Sequence, residues 1–133
     1  MAQKTKTYRG LQGGIRSLKT PRIDTWENRY PEREYTIHME VPEFTCVCPK
    51  TGLPDFATIT IEYVPHHKCI ELKSFKEYIV SYREVGIFHE HVVNKILDDF
   101  VASCQPRQAT VTGNFNPRGG IHTVVSASFP SAH

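Results

Sequence analysis

Residues Phe44 to Asp55 read Phe-Thr-Cys-Val-Cys-Pro-Lys-Thr-Gly-Leu-Pro-Asp, and this stretch limits what the chain can fold into. Pro49, Gly52 and Pro54 exclude a helix or a central strand here, because proline lacks an N–H donor and both residue types break regular ladders. A turn-rich loop between two strand-like runs is expected. Loops held by strands on both sides are common seats of chemistry. Cys48 and Asp55 lie seven residues apart, so a bent loop brings thiol and carboxylate to one spot. That pairs a nucleophile with a proton donor or acceptor.

A chain of 133 residues suits one domain with a modest core. A formal net charge of +2 is too small to argue for direct nucleic acid or membrane binding. No apolar run approaches the ~20 residues that cross a bilayer. Lys4, Lys6 and Arg9 are followed by no apolar stretch, so no secretory signal is read there and a cytoplasmic protein is expected. Cys46, Cys48, Cys69 and Cys104 are then expected as free thiols.

Residues 1–33 are polar and rich in Gly, Arg and Lys, which reads as a mobile arm with Trp26 and Tyr30 as its anchoring points. A single domain is expected over residues 34–133. Tyr35 to Val41 and Phe56 to Val64 alternate apolar and polar residues, the pattern of half-buried strands. Pro65 to Lys68 reads as a turn. Lys73 to Arg83 carries Phe75, Tyr78, Ile79 and Tyr82 at helical spacing, with Gly86 as its stop. His89 to Cys104 is the strongest helix. Val92, Val93, Ile96, Leu97, Phe100 and Val101 form its apolar stripe, and Asn94, Lys95, Asp98 and Asp99 are expected to face away. Arg107 to Phe115 and Ile121 to Phe129 read as strands about a turn at Asn116 to Gly120. The order ββααββ predicts an α+β domain, a four-stranded antiparallel sheet with two helices on one face. Its edge strands are unprotected, and pairing between subunits into a ring would cover them.

Each chemical candidate has a plain structural alternative. Cys48 is either a small buried hydrophobe or a thiol activated by the nearby Lys50. Cys46, expected to point to the opposite face if the strand continues that far, reads as a bystander. Cys46, Cys48, His66, His67, Cys69, His89 and His91 include enough soft ligands for zinc, but no Cys-x-x-Cys pair is present, and no metal site is assigned. Lys73 and Lys76 share a helix face, as phosphate ligands or as a solvated basic surface. Glu90 either complements a helix dipole or accepts paired hydrogen bonds from a guanine-like edge. His89 is an ordinary half-buried histidine or a proton donor. Arg118-Gly119-Gly120 is a hairpin turn or a phosphate contact.

Phe44-Thr45-x-x-Cys48-Pro49-Lys50-Thr51-Gly52-x-Pro54-Asp55-Phe56-Ala57, Glu71-Leu72-Lys73-Ser74-Phe75-Lys76-x-Tyr78, Phe88-His89-Glu90 and Pro117-Arg118-Gly119-Gly120 together resemble the QueF family, in order and in spacing. These are NADPH-dependent nitrile reductases of queuosine biosynthesis, a tRNA modification. The resemblance runs from about Tyr35 to Phe129 and is to the short, single-module form. It implies the tunnelling fold, in which sheets join into a barrel within a homo-oligomeric ring, here of stacked pentamers.

The implied substrate is 7-cyano-7-deazaguanine and the implied product its aminomethyl counterpart. Cys48 would form a thioimide with the nitrile, Asp55 would supply a proton, and His89 would assist proton transfer or orient the base. Ile70, Glu71, Leu72, His89 and Glu90 would bind substrate. Lys73, Lys76 and Arg118 would bind NADPH. Two departures stand out. Glu77 occupies a position usually apolar in the cofactor motif. Val92 stands where some short members carry a protective cysteine, so such protection would need Cys46, Cys69 or Cys104. Two other readings of this fold are a QueF-like amidinotransferase acting on the nitrile base in tRNA and a non-catalytic purine-binding ring. Lys73 and Lys76 argue against the first, and the Cys48–Asp55 pair against the second.

Overall fold

The computed structural model describes residues 10–131. Lys4, Lys6 and Arg9 therefore lie outside the described residues. A short 3-10 turn, Ile15–Ser17, precedes strands β1 (Thr25–Glu27), β2 (Ile37–Val47), β3 (Pro54–Val64) and β4 (Lys68–Ile70). Helices α1 (Leu72–Val80) and α2 (His89–Cys104) follow, then strands β5 (Gln108–Arg118) and β6 (Ile121–Phe129).

The main sheet has the order β2-β3-β5-β6, every pair antiparallel. Two hairpins thus lie side by side, joined through β3 and β5, with both helices in the connection. Alternation decides the faces. Ile59, Ile61, Val111 and Phe115 point inward and pack with Val92, Val93, Ile96 and Phe100 of α2 and with Phe75 and Tyr78 of α1. The other face is polar. Thr110 pairs with Ser128 at 2.9 Å, Thr112 with Ser126 at 3.1 Å and His38 with Glu62 at 2.8 Å. The α+β sheet with helices on one face is the architecture expected.

Several local readings change. Strand β2 runs on to Val47, past a register shift between Val41 and Phe44. Pro42 and Glu43 interrupt the alternation there, and a bulge on an outer strand is where a proline is tolerated. The loop shrinks to Cys48–Leu53, and Pro54 opens β3. Strand β5 runs to Arg118, so the second hairpin turns on Gly119 and Gly120 alone, at φ +59° and +81°. Positive φ at both turn residues matches the twist of the flanking strands, and glycine takes it without a Cβ clash.

Lys68 belongs to β4, which pairs with β1. The described part of the segment read as a mobile arm, residues 10–33, is tied down through that pair, and the side chains of Trp26 and Tyr30, each 53% exposed, do not anchor it. Ile23 enters the core instead. The buried Asn28 donates to the His66 carbonyl at 2.7 Å and accepts from the Tyr35 hydroxyl at 2.7 Å.

Helix α1 stops at Val80, and Tyr82 lies buried in the turn beyond it. Gly86 forms a parallel bridge with Val47 rather than ending the helix. Lys95 and Asp99 do not face away. Lys95 is buried and binds Asp99 at 2.9 Å, and Asp99 accepts from the Tyr78 hydroxyl at 2.6 Å. The pair lies on the flank of α2 that meets α1, where each polar group finds a partner. Among the described residues, no helix is long and apolar enough to cross a membrane.

Candidate active site

The Cys48 loop is closed by its own backbone. Cys48 N–H donates to the Leu53 carbonyl at 2.8 Å, and Gly52 N–H donates to the Cys48 carbonyl at 2.8 Å. Gly52 takes φ +76°, which the tight loop requires. Behind the loop, Val47 N–H donates to Val85 O at 3.0 Å and Val47 O accepts from Ile87 N–H at 2.9 Å. The strand that carries the thiol is therefore stitched to the segment that leads into α2.

Cys48 is half-buried, whereas Cys46, Cys69 and Cys104 are buried, and all four are free. Burial pushes the Cys46 thiol up to about 12. Burial also pushes Cys48 up, but it is outweighed. Hydrogen bonds from the Thr51 hydroxyl and from the Thr51 and Lys50 backbone, with the Arg118 charge, bring the Cys48 thiol below its ordinary value. Thiolate is the nucleophilic form, so this environment favours reaction at Cys48 and disfavours it at Cys46.

Asp55 is 4% exposed and pairs in register with Cys46 on the facing strand. Its two oxygens are both occupied. The Arg118 guanidinium binds Oδ1, and His89 Nε2 lies 3.1 Å from Oδ2. Arg118 reaches Asp55 because the two-residue Gly119–Gly120 turn leaves it at the end of β5, opposite the start of β3. His89 opens α2. Its ring lies flat on Phe115, centroids 3.7 Å apart and planes 8° apart. Burial pushes the His89 imidazole below its ordinary value, and the Glu90 charge opposes this in part. Nε2 is the ring nitrogen that His89 turns toward Asp55.

Cys48, Asp55, His89 and Arg118 thus form one cluster, in which Arg118 binds the carboxylate while its charge acts on the thiol. The substrate candidates divide. Glu90 is exposed in the first turn of α2. Ile70 is buried at the end of β4, and Leu72 is 64% exposed. The Glu71 carboxylate caps α1, accepting from Lys73 N–H at 2.9 Å and Ser74 N–H at 2.8 Å. Lys73 and Lys76 are exposed on α1, and among the described residues neither is bonded to the Asp55 cluster. Beside them a groove of about 480 Å³ runs between α1 and β2, with an apolar floor that includes Val41, Phe44 and Phe75 and with Lys76 and Arg83 at its wall. Glu77 is exposed. Among the described residues no three His, Cys, Asp or Glu side chains gather to hold a metal. Sequence reasoning missed Thr51 and Phe115. Thr51 sits three residues after a thiol in a tight loop, a readable signal. Phe115 carries none, because its role comes from a ring 26 positions away.

A model of the QueF-like protein family matches residues 54–133, and the chain belongs to that family. Its relatives are more specific. One from Elusimicrobium minutum, named NADPH-dependent 7-cyano-7-deazaguanine reductase, is 57% identical over 113 residues, 85% of each chain. A protein of the same name from Halorhodospira halophila is 61% identical over 105 residues, 79% of this chain and 89% of its own. The crystal structure of the apo archaeosine synthase QueF-Like superposes with a TM-score of 0.69 at 23% identity, covering 74% of this chain and 96% of its own. That likeness shows the shared fold.

Proposed function

We propose that this chain reduces the nitrile of 7-cyano-7-deazaguanine to the aminomethyl base, with NADPH as reductant. The observation that carries this reading is the cluster of a half-buried, acid-shifted Cys48 beside the Asp55–His89–Arg118 group. A nitrile carbon is a weak electrophile, and a thiolate is a strong, soft nucleophile. Cys48 Sγ adds to the nitrile carbon and a C–S bond forms as one C–N π bond opens. The proton that leaves the Cys48 thiol passes through Asp55 to the nitrile nitrogen, and His89 Nε2, 3.1 Å from Asp55 Oδ2, orients that carboxyl. Glu90 accepts the N–H groups of the guanine-like edge, with Glu71 and its neighbours along the same substrate.

The exposed cations Lys73 and Lys76 and the apolar groove beside Lys76 suit a phosphate-bearing dinucleotide with flat rings. Two NADPH, one hydride each, would supply the four electrons that separate a nitrile from a primary amine, and the C–S bond to Cys48 would break between the two reductions, returning the thiolate. Since α1 and the Asp55 cluster stand apart in one chain, a homo-oligomeric ring that sets one subunit's α1 beside another's cluster completes the site. On this reading residues 34–133 are the catalytic unit and residues 1–33 its polar N-terminal arm. The product serves the queuosine modification of tRNA.

The test is NADPH oxidation with 7-cyano-7-deazaguanine, beside Cys48→Ala, with the product identified. Two NADPH per aminomethyl product and a silent, folded Cys48→Ala are expected. Turnover retained in Cys48→Ala overturns the mechanism. An intact-mass adduct at Cys48 without NADPH oxidation would move the chain to the amidinotransferase chemistry.

A further inference from the structure

We infer that Gln12, from the segment before the first strand, is a positioning residue that holds the Phe88–Glu90 turn in its substrate-binding shape. The inference rests on the reading of Glu90 as the residue that holds the base.

Helix α2 begins at a residue that cannot cap it, because Phe88 has no polar side chain. Gln12 supplies the polar group from 76 positions away. Its Oε1 accepts from Phe88 N–H at 3.2 Å and from His91 Nδ1 at 2.8 Å. Its Nε2 donates to the Gly86 carbonyl at 3.2 Å. The orientation of the amide is dictated by its partners, since Phe88 N–H can only donate and the Gly86 carbonyl can only accept. One donor and one acceptor at this length describe glutamine. A glutamate of the same shape would face the Gly86 carbonyl with a second acceptor.

The latch spans residues 86 to 91 and so brackets His89 and Glu90. On its other side the same segment is held by Val47, through Val85 O and Ile87 N–H. The two attachments do different work. Val47 ties the segment to the thiol loop, while Gln12 fixes the start of the helix. His89 has further supports in Asp55 and the Phe115 ring. The Glu90 carboxylate makes no hydrogen bond or ion pair among the described residues, so its direction follows the backbone of this turn. Loss of the latch therefore falls on substrate binding more than on the chemical step.

The test compares full-length Gln12→Glu and Gln12→Met with the wild-type protein. Three hydrogen bonds at stake predict a KM for 7-cyano-7-deazaguanine raised about tenfold in both variants, with kcat moving much less. In a Glu90→Ala background, Gln12→Glu is expected to add almost nothing to KM, since the group it directs is gone. Amide exchange at Phe88 to His91 is expected to speed up about tenfold while the rest of α2 stays protected. Wild-type KM in Gln12→Glu, or effects that simply add to those of Glu90→Ala, overturn the proposal, as does unchanged exchange. Should the wild-type protein leave the nitrile untouched, the functional reading fails, and the exchange result alone decides whether Gln12 holds the turn.

Discussion

Cys48 and Cys46 are two residues apart and chemically far apart. Burial drives Cys46 up to about 12, while hydrogen bonds from Thr51 and Lys50 and the Arg118 charge overcome the same penalty at Cys48. A cation favours the thiolate, so its removal raises the thiol pKa. Arg118→Ala is therefore expected to move the rate–pH curve for alkylation of Cys48 by iodoacetamide to higher pH. A curve that stays in place or moves to lower pH contradicts this electrostatic role. Glu90→Ala is expected to weaken nitrile binding about tenfold or more, read by calorimetry without NADPH; unchanged affinity sinks its assignment. At this scale the sequence points to Cys48, Asp55 and His89 because those side chains carry reactive groups, the first two at the break between β2 and β3 and the third at the start of α2. It is silent on Phe115 and Gln12, an ordinary hydrophobe and an ordinary amide whose partners lie 26 and 76 positions away.

Helix α2 could be read at its observed bounds because its apolar stripe is unbroken and Pro106 follows it. Strand β2 was legible only to Val41, since the bulge at Pro42 and Glu43 resets its alternation. Strands β1 and β4 are three residues each, too short for a period to show. Helical spacing sets the start of α1 one residue late, at Lys73 rather than Leu72, and its cap is Glu71, not one of the usual Ser, Thr, Asp or Asn. Two expectations belong to this scale. Hydrogen bonds from Ser74 and Lys73 N–H hold the Glu71 carboxyl below its ordinary value. A depressed carboxyl contributes stability that is present above its unfolded pKa and lost as pH falls through the folded one. Glu71→Gln should lower stability to urea at neutral pH and narrow its difference from wild type under acid. A constant difference across pH would remove that role. A Cβ on Gly113 would lie 2.7 Å from Phe115 Cε1 and 2.8 Å from Val93 Cγ2. Gly113→Ala should then destabilise by about 1–3 kcal/mol in chemical denaturation, the usual cost of overpacking.

As a whole, the molecule has one dry face and one wet one, with β2 and β6 as the outer strands of its sheet. Outer strands carry backbone groups without a ladder partner on one side, and pairing between copies satisfies them. Sedimentation at micromolar concentration is expected to give a multiple of the chain mass, and a monomer throughout would sink the ring. The tie between β3 and β5 has a kinetic consequence. Each hairpin closes over a few residues, but residues 57–64 of β3 meet residues 108–115 of β5 across both helices. Closing that long loop carries an entropic cost before any of its contacts form. The two hairpins are thus early, local events, and the rate at which the chain reaches its native state is set by their meeting.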